Sequence, residues 1–506
     1  MNLNKKALIS VSDKTGIVEF AGSLVKMNYE ILATGNTAKI LKENNIDCFE
    51  ISLYTGSPEI FHGRLKTLHP KIFGGILYHR DVESDIQQAE ENQIDPIDIV
   101  CVNLYPFAKV DTQDVDQQTK IENIDIGGPS LIRAAAKNFK FISVLTNPSQ
   151  YNEFINELEN AEISIETKSK LAAEAFSHTA LYDKIIADFF EREVTKEQKN
   201  LRINFPLNSE LRYGENPHQK AFLYGNLYDK FIPLHGKELS YNNIIDLIAA
   251  VELVNELDNN SCVIIKHTNP CGAATGKNNL DAYVKALSCD PVSAFGGIVA
   301  FNNEVNSETA EKLNEIFTEV VCSPSFEEKA LEILKQKKNR RVIQYKADGI
   351  KQTLQFRNIP NGIIAQEPDY SAFPLNELKT VTEKQISEDQ MKDLKFAWVI
   401  CKHTKSNAIV FCKNQMAVGV GAGQMSRIDS SRIAVEKAKL YGHNLEGAVA
   451  ASDAFFPFAD GVEEIANSGI TAIVQPGGSV RDDEVIDAAN NKNISMVFTG
   501  IRNFKH

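Results

Sequence analysis

Short uninterrupted apolar runs alternate along this chain with stretches of helical spacing, and polar, glycine-bearing turns separate them. Lys6 to Ser12 reads as a buried strand, and Asp13-Lys14-Thr15-Gly16 then opens an amphipathic helix through Lys26. Tyr29 to Ala33 repeats the scheme, ending in Thr34-Gly35-Asn36-Thr37 before a helical stretch from Ala38 to Glu43. Strand, turn and helix in succession predict an α/β fold with a parallel sheet. Ile99 to Val102 is a further strand, running into Asn103-Leu104-Tyr105-Pro106-Phe107. An acid, Asp125, then precedes Gly127-Gly128-Pro129, which predicts a helix start, with the helix running from Leu131 to Asn138. From about Ser149 to about Lys199 apolar and charged positions alternate at helical spacing, which predicts a helical connector.

In the second half, Ser261 to Ile265 reads as a buried strand that delivers Lys266 and His267 to its mouth. Asn269-Pro270 and Gly272 predict the turn that follows. Trp398 to Cys401 also looks strand-like and precedes Lys402-His403-Thr404, an echo of Lys266-His267-Thr268 at an offset of 136 residues. Ser293-Ala294-Phe295 is loosely echoed by Ser452 to Phe455. Two like subdomains would follow from a true duplication, although such short echoes also arise by chance. The glycines of Gly419 to Gly423 do not match the dinucleotide-loop spacing, so a Rossmann reading is rejected.

At 506 residues the chain exceeds one core, and two or three domains are expected. Acidic residues number 67 against 54 Lys and Arg, a net charge of −13, which disfavours nucleic acid or an anionic membrane as partner. An anionic ligand must then be met locally. The eight cysteines show no C-x-x-C pairing and sit mostly in apolar runs, as reduced thiols of a cytoplasmic protein do. No zinc site and no signal or membrane-spanning segment is expected.

Candidate chemistry falls at the strand ends. A lysine desolvated there and a histidine titrating near neutrality could pass protons, so Lys266 and His267 form a candidate acid-base pair. A surface lysine beside a hydrogen-bonded loop histidine would satisfy the same residues. The turns at Ser12 to Lys14 and Thr34 to Thr37 offer hydroxyls and helix N-termini to a phosphate, and equally to simple helix capping. The loop Gly63 to Leu77 gathers Arg64, Lys66, His69 and Lys71 in an acidic protein, and Leu65, Leu68 and Ile72 would hold it against a core. The polar stretch Leu211 to Gln219 reads as a loop.

Many blocks together resemble one family: Ser10 to Gly16, Gly63 to Pro70, Asn103 to Phe107, Ile124 to Gly128, Arg212 to Pro217, Lys266 to Gly272, Ser406-Asn407, Gly421 to Arg427, Ser452 to Phe458 and Gln475 to Arg481. Over essentially its whole length the chain resembles the bifunctional purine-biosynthesis enzymes that join AICAR transformylase to IMP cyclohydrolase. The resemblance implies an α/β protein with a methylglyoxal-synthase-like cyclohydrolase domain at 1–148 and a connector at 149–200. A transformylase domain at 201–506 would follow, built of two cytidine-deaminase-like subdomains, about 201–380 and 381–506. It implies formyl transfer from 10-formyltetrahydrofolate to AICAR, then closure of FAICAR to IMP with loss of water, with no metal required and in a homodimer. The small-molecule partners are then AICAR, FAICAR, IMP and the reduced folate.

By the same resemblance Lys266 and His267 serve formyl transfer, while Lys66, Tyr105, Asp125 and Lys137 serve cyclisation. Ser12, Asp13, Lys14, Thr34, Gly35, Asn36, Thr37, Arg64, Thr67, Val102, Asn103, Ile126 and Gly127 match nucleotide contacts of the cyclohydrolase. Arg212, Tyr213, Gly296, Glu319, Asn407, Arg427, Phe455 and Arg502 match AICAR-binding positions; Ile428, Asp460, Ser479 and Val480 match folate positions. The sequence departs from the family pattern at Asn36, where a second glycine is usual and a positive φ is one reason for it, and at Phe73, Asn503 and Lys505. A lyase of the methylglyoxal synthase type would leave about 300 residues idle, and a non-catalytic nucleotide sensor would bind without turnover.

Overall fold

The computed structural model describes residues 5–61, 63–197, 199–348 and 354–506. The chain forms two units, one ending at Asn204 and the other beginning at Phe205.

In the first unit, strands Lys5–Ser10 (β1), Tyr29–Ala33 (β2), Phe49–Glu50 (β3), Ile99–Val102 (β4) and Ser143–Leu145 (β5) pair in parallel in the order β3-β2-β1-β4-β5. Ala7 to Ile9 and Ile99 to Val102 are buried without alternation, as strands covered on both faces are. The order runs outward from β1 to β3 and restarts at β4, so the crevice between the C-terminal ends of β1 and β4 is the switch point where such sheets bind ligands. The segment expected to connect the domains supplies helices Tyr151–Asn160 and Ile165–Phe189. Their buried residues, among them Phe154, Leu171, Ala175, Tyr182 and Phe189, belong to the core that contains β1 and β4.

The second unit opens with the antiparallel hairpin Leu207–Leu211 (β6) and Ala221–Tyr224 (β7). Its main body is one sheet of twelve strands. The first six are Phe231–His235 (β8), Ser261–Lys266 (β9), Asn269–Thr275 (β10), Ile298–Phe301 (β11), Val320–Ser323 (β12) and Arg341–Tyr345 (β13). A second hairpin, Gln355–Ile359 (β14) with Gly362–Gln366 (β15), stands outside that sheet. The remaining six are Lys379–Thr380 (β16), Ile409–Lys413 (β17), Met416–Gly421 (β18), Val449–Ser452 (β19), Ala472–Gln475 (β20) and Ser495–Phe498 (β21). The order β16-β21-β20-β19-β17-β18-β10-β9-β11-β12-β13-β8 reads the same from both ends once the halves are matched, β8 to β13 against β16 to β21. Strand directions match as well: β9 and β17 each lie between an antiparallel hairpin partner and an antiparallel neighbour, β11-β12-β13 and β19-β20-β21 run parallel, and the edge strands β8 and β16 pair antiparallel. The halves meet where β10 pairs β18 at Ala274 and Met416.

The strand order repeats, but the register of the repeat is not that of the Lys-His echo. Trp398 to Cys401 is not a strand; it lies in the last turns of helix Glu388–Lys402, every residue buried. A short apolar run with no polar interruption fits a buried helix as well as a strand. Lys402 and His403 therefore precede β17, whereas Lys266 ends β9. Likewise Ser293 to Phe295 precede β11, whereas Ser452 ends β19 and Asp453 to Phe455 follow it. Matching β9 to β17 aligns Lys266 with Lys413, an offset of 147 residues. Helices Tyr241–Glu256 and Glu388–Lys402 then correspond, as do Asn279–Cys289 and Arg427–Leu440. The two halves share one apolar core, in which Val263 and Ile265 cluster with Trp398 and Val410.

The repeat also explains a glycine pair. Gly272 and its equivalent Gly419 lie where helices Asn279–Cys289 and Arg427–Leu440 press on β10 and β18; a Cβ on Gly272 would meet the Ala286 carbonyl oxygen at 2.0 Å, and one on Gly419 the Ala434 oxygen at 2.5 Å. Gly272→Ala is expected to cost about 1–3 kcal/mol, by forcing strand and helix apart. Urea unfolding of the intact chain checks this; an unchanged midpoint for the second unit would contradict it.

Candidate active sites

In the first unit the expected phosphate turns meet at the switch point. Asn103, just past β4, reaches across to the turn after β1: its Oδ1 accepts the Ser12 N–H and, at 2.9 Å, the Asp13 N–H, and its Nδ2 donates to the Asp13 carbonyl. Lys14 turns back to donate to the Val11 carbonyl and, at 3.1 Å, to the Thr37 hydroxyl. Burial holds the Lys14 ammonium below the usual lysine range, with Asp13 acting in the other direction. Two hydroxyls, Thr34 and Ser10, bond at 2.8 Å. Helix Gly35–Glu43 begins here, and the positive φ (+28°) falls on Gly35; Asn36 carries none, so the departure at Asn36 brings no left-handed strain.

The basic loop closes over both helix starts. A Cβ on Gly35 would lie 2.7 Å from Lys66 Nζ, and one on Gly127 would lie 2.8 Å from the Thr67 hydroxyl. Lys66 is also paired with Glu59 at 2.6 Å. Ile72 is buried, but Leu65 and Leu68 are each 37% exposed, so the expectation that they anchor the loop is corrected: an isolated bridge from Ile60 to Leu65 does so instead. Arg64 stays exposed, its Nε on the Phe61 carbonyl. Asp125 accepts the Gly128 N–H at 2.8 Å, and burial raises its carboxyl above the ordinary range against the lowering effect of backbone N–H groups. Val102 is buried at the end of β4, while Tyr105 and Ile126 are exposed.

Lys137 does not join this group. It ends helix Gly127–Lys137, exposed, and ten residues of helix put it about 15 Å from Gly127. Tyr182 went unnoticed in the sequence, where it is one aromatic on a long helix. Its hydroxyl accepts the Asp125 N–H at 2.8 Å.

In the second unit, β9 and β10 are joined by a two-residue turn, His267 and Thr268, with φ of 52° and 62°. This corrects the expected turn at Asn269-Pro270, both of which already lie in β10; the proline is accommodated at a register shift between Pro270 and Gly272. Asp246, on helix Tyr241–Glu256, accepts the N–H groups of His267 (3.2 Å) and Thr268 (2.7 Å). Lys266 donates to the Phe295 carbonyl at 2.6 Å, beside Gly296. Gly296 in turn donates to the Phe317 carbonyl, and the Glu319 N–H donates to Gly297; the Glu319 carboxylate pairs with Arg341 at 2.6 Å.

Because β10 runs antiparallel to β18, the start of one lies beside the end of the other, and this juxtaposes residues from both repeats. Asn269 Oδ1 accepts the Lys405 N–H at 2.9 Å, and the Gly423 N–H donates to the Lys405 carbonyl at 2.7 Å. Two residues on, Asn407 accepts from Arg427 at 2.8 Å. Arg427 is buried and paired with buried Asp453; it also donates to Ser452 at 3.2 Å and to the Phe455 carbonyl at 3.1 Å. Burial pulls the guanidinium below its ordinary range while Asp453 acts against that. Asp453, missed as a site residue although it lies in the Ser452 to Phe458 block, keeps its other oxygen buried without a partner among the described residues.

Other expected residues line the periphery. Arg212 stacks on Tyr213, its carbon 4.6 Å from the ring centre, in a loop tied to helix Tyr241–Glu256 by Asn242 and Glu215. Ile428 follows Arg427 in its helix, Asp460 starts the next, and Ser479 is held by Asp482. Val480 is fully exposed, and Arg481 stacks on Phe458 at 4.7 Å, joining the two loops that carry Asp460 and Ser479. The C-terminal tail is docked: Ser406 and Lys505 exchange hydrogen bonds, and the Asn503 N–H donates to Asp453. Arg502 lies exposed on that tail, over Phe504. Lys402 and His403, by contrast, form a buried structural cluster with Glu256 at 2.5 and 3.1 Å. No group of three or more His, Cys, Asp or Glu suited to a metal ion, and no helix long and apolar enough to cross a membrane, occurs among the described residues.

Residues 135–437 match the model of the AICARFT/IMPCHase bienzyme family, and residues 16–130 match the MGS-like domain. The bifunctional purine biosynthesis protein PurH of Persephonella marina (strain DSM 14350 / EX-H1) is 49% identical over 517 residues, covering 100% of both chains. PurH of Bacillus cereus (strain B4264) is 48% identical over 514 residues, again across 100% of both. A solved structure described as "Crystal structure of ForH" is 32% identical where it aligns, spans 37% of this chain and 99% of its own, and has a TM-score of 0.34.

The buried Arg427–Asp453 pair gives a stability test. Asp453→Ala strands the guanidinium and is expected to cost about 3–5 kcal/mol. Chemical denaturation checks it, and a loss under about 1 kcal/mol, as for an exposed pair, would contradict the assignment.

Proposed function

The chain belongs to the AICARFT/IMPCHase bienzyme family, and from that membership we propose how its residues divide the work. It is a bifunctional enzyme of purine biosynthesis: it transfers a formyl group from a folate co-substrate to AICAR, then cyclises FAICAR to IMP. We assign formyl transfer to the unit from Phe205 on and cyclisation to the unit ending at Asn204, with 10-formyltetrahydrofolate as the donor.

The observation that carries the first assignment is the turn holding His267 beside Lys266, at the end of the β10–β18 seam where Asn407 and Arg427 also lie. The amine of AICAR is a poor nucleophile because its lone pair is delocalised, so a proton must leave the nitrogen as the C–N bond forms. In this reading His267 accepts that proton, and Lys266 supplies charge or a proton to the folate nitrogen, so that the tetrahedral intermediate collapses to formylated product and a neutral folate amine. Four of the five N–H groups of Arg427 are engaged within the protein, so it holds Asn407 and Phe455 in place as much as it meets substrate.

For cyclisation, Ser12, Lys14 and Thr34 to Thr37 would receive the phosphate at the helix N-terminus. The carboxamide nitrogen attacks the formyl carbon, and the oxygen leaves as water. Lys66 stabilises the developing oxyanion, and Asp125, whose carboxyl burial raises, takes the proton from nitrogen. Tyr105 stands at the mouth. Lys137, at the far end of its helix, is left out of this assignment.

We place the protein in the cytoplasm, which its eight free, buried cysteines support. The homodimer reading comes from the family resemblance, and the β14–β15 hairpin supports it: its ten residues are all exposed, Phe356, Ile359, Ile363 and Ile364 included. A lone two-stranded hairpin is marginal in water, so a second copy is the fitting cover. Sedimentation at assay concentration is expected to show a dimer that deletion of 355–366 weakens; an active wild-type monomer would contradict it.

The two activities should separate by mutation. His267→Ala is expected to lower formyl transfer by about 10²–10⁴-fold and leave cyclisation of supplied FAICAR nearly unchanged. Lys66→Ala should lower cyclisation by about 10²–10³-fold, so that FAICAR accumulates from AICAR and the folate. Both half-reactions are measured on both folded variants; similar large losses in both would overturn the division.

A further inference from the structure

The duplicated half contains a second copy of the turn that carries His267. Asn414 and Gln415 join β17 to β18 with φ of 54° and 52°, in register with His267 and Thr268 at the 147-residue offset. Asp393 occupies in helix Glu388–Lys402 the place that Asp246 holds in helix Tyr241–Glu256. It accepts the N–H groups of Asn414 (2.8 Å) and Gln415 (2.6 Å), as Asp246 accepts those of His267 and Thr268. The lysine before each turn also donates to a carbonyl, Lys266 to Phe295 and Lys413 to Glu446, both at 2.6 Å. Backbone, lysine and carboxylate are thus common to both copies. The side chain at the first turn position differs: His267 in one, Asn414 in the other.

Left-handed residues at both positions of a two-residue turn favour Asn and Gly, and a β-branched threonine is poorly suited to that region. His267-Thr268 therefore has little tendency of its own to hold this turn. The carboxylate of Asp246 supplies the constraint, since its two oxygens each bind one of the two successive N–H groups that the turn presents together. We propose that Asp246 is a positioning residue for formyl transfer: by clamping the turn it fixes the direction in which the His267 imidazole leaves the backbone. The inference rests on the assignment of His267 as proton acceptor, and Asp393, clamping a turn without a histidine, is its internal control.

The test measures kcat and KM for AICAR, with FAICAR cyclisation alongside, on the full chain. Asp246→Ala is expected to lower kcat for formyl transfer on the order of 10²-fold, the scale of an ångström-level misplacement, with KM for AICAR and cyclisation unchanged. Asp246→Asn, which keeps one acceptor, should lose less and serves where the alanine variant does not fold. Thr268→Gly added to Asp246→Ala should restore part of kcat, because glycine adopts the left-handed conformation unaided. Asp393→Ala should leave kcat unchanged. The proposal is overturned if Asp246→Ala and Asp246→Asn keep wild-type kcat, if only KM changes, or if Asp393→Ala lowers kcat equally. His267→Ala run in parallel separates the two ideas: full activity there defeats the base assignment, whereas loss there with an active Asp246→Ala defeats the clamp alone.

Discussion

The pairing of β10 with β18 is the constraint on which the second unit depends. Parting them would bare two strand edges and split an apolar core that both repeats share. Polar pairs reinforce the joint: Lys402 of one repeat pairs with Glu256 of the other, His403 hydrogen-bonds the same carboxylate, and Lys437 meets buried Asp290. Burial alone would raise Glu256, but its bonds to His403 and Lys402 prevail and hold it below the usual carboxylate range. Removing Glu256 would leave buried Lys402 uncompensated, and removing Lys437 would leave buried Asp290 so; the joint is both apolar and ionically specific. Because the strands are antiparallel, fusion places the start of one repeat's hairpin beside the end of the other's. The two copies of the turn differ in side chain on a symmetric frame, His267-Thr268 in one and Asn414-Gln415 in the other.

The first unit solves a different problem with a parallel sheet. An acidic chain must hold an anion somewhere, and the switch point concentrates what it has: two helix starts, the threonine hydroxyls, Lys14 and Lys66. Lys14 is desolvated and bonded to protein oxygens, so its charge is held ready at a fixed place. The long helix Ile165–Phe189 buries one face in the same core and, through Tyr182, steadies Asp125.

Much of this was legible in the sequence, and the failures have physical reasons. The buried strands that open each site read clearly, since uninterrupted apolar runs ending in polar residues leave few alternatives. Trp398 to Cys401 misled because such a run carries no period when both faces are buried. The Lys-His echo that suggested a duplication lies in the wrong register; the repeating features, Asp246 with Asp393 and Gly272 with Gly419, are single residues among unlike neighbours. Asp246 bonds backbone groups and leaves no motif. The separation of Lys137 from Asp125 was available in advance, since a helix between them was expected and helical rise fixes its length.

The central claim is that one transformylase site is assembled from both repeats across the β10–β18 seam. A structure of the enzyme with AICAR bound tests it most directly. The account predicts that the nucleotide contacts Lys266 or His267 from the first repeat together with Asn407, Arg427 or Phe455 from the second. A nucleotide bound wholly within one repeat, away from the seam, would contradict it.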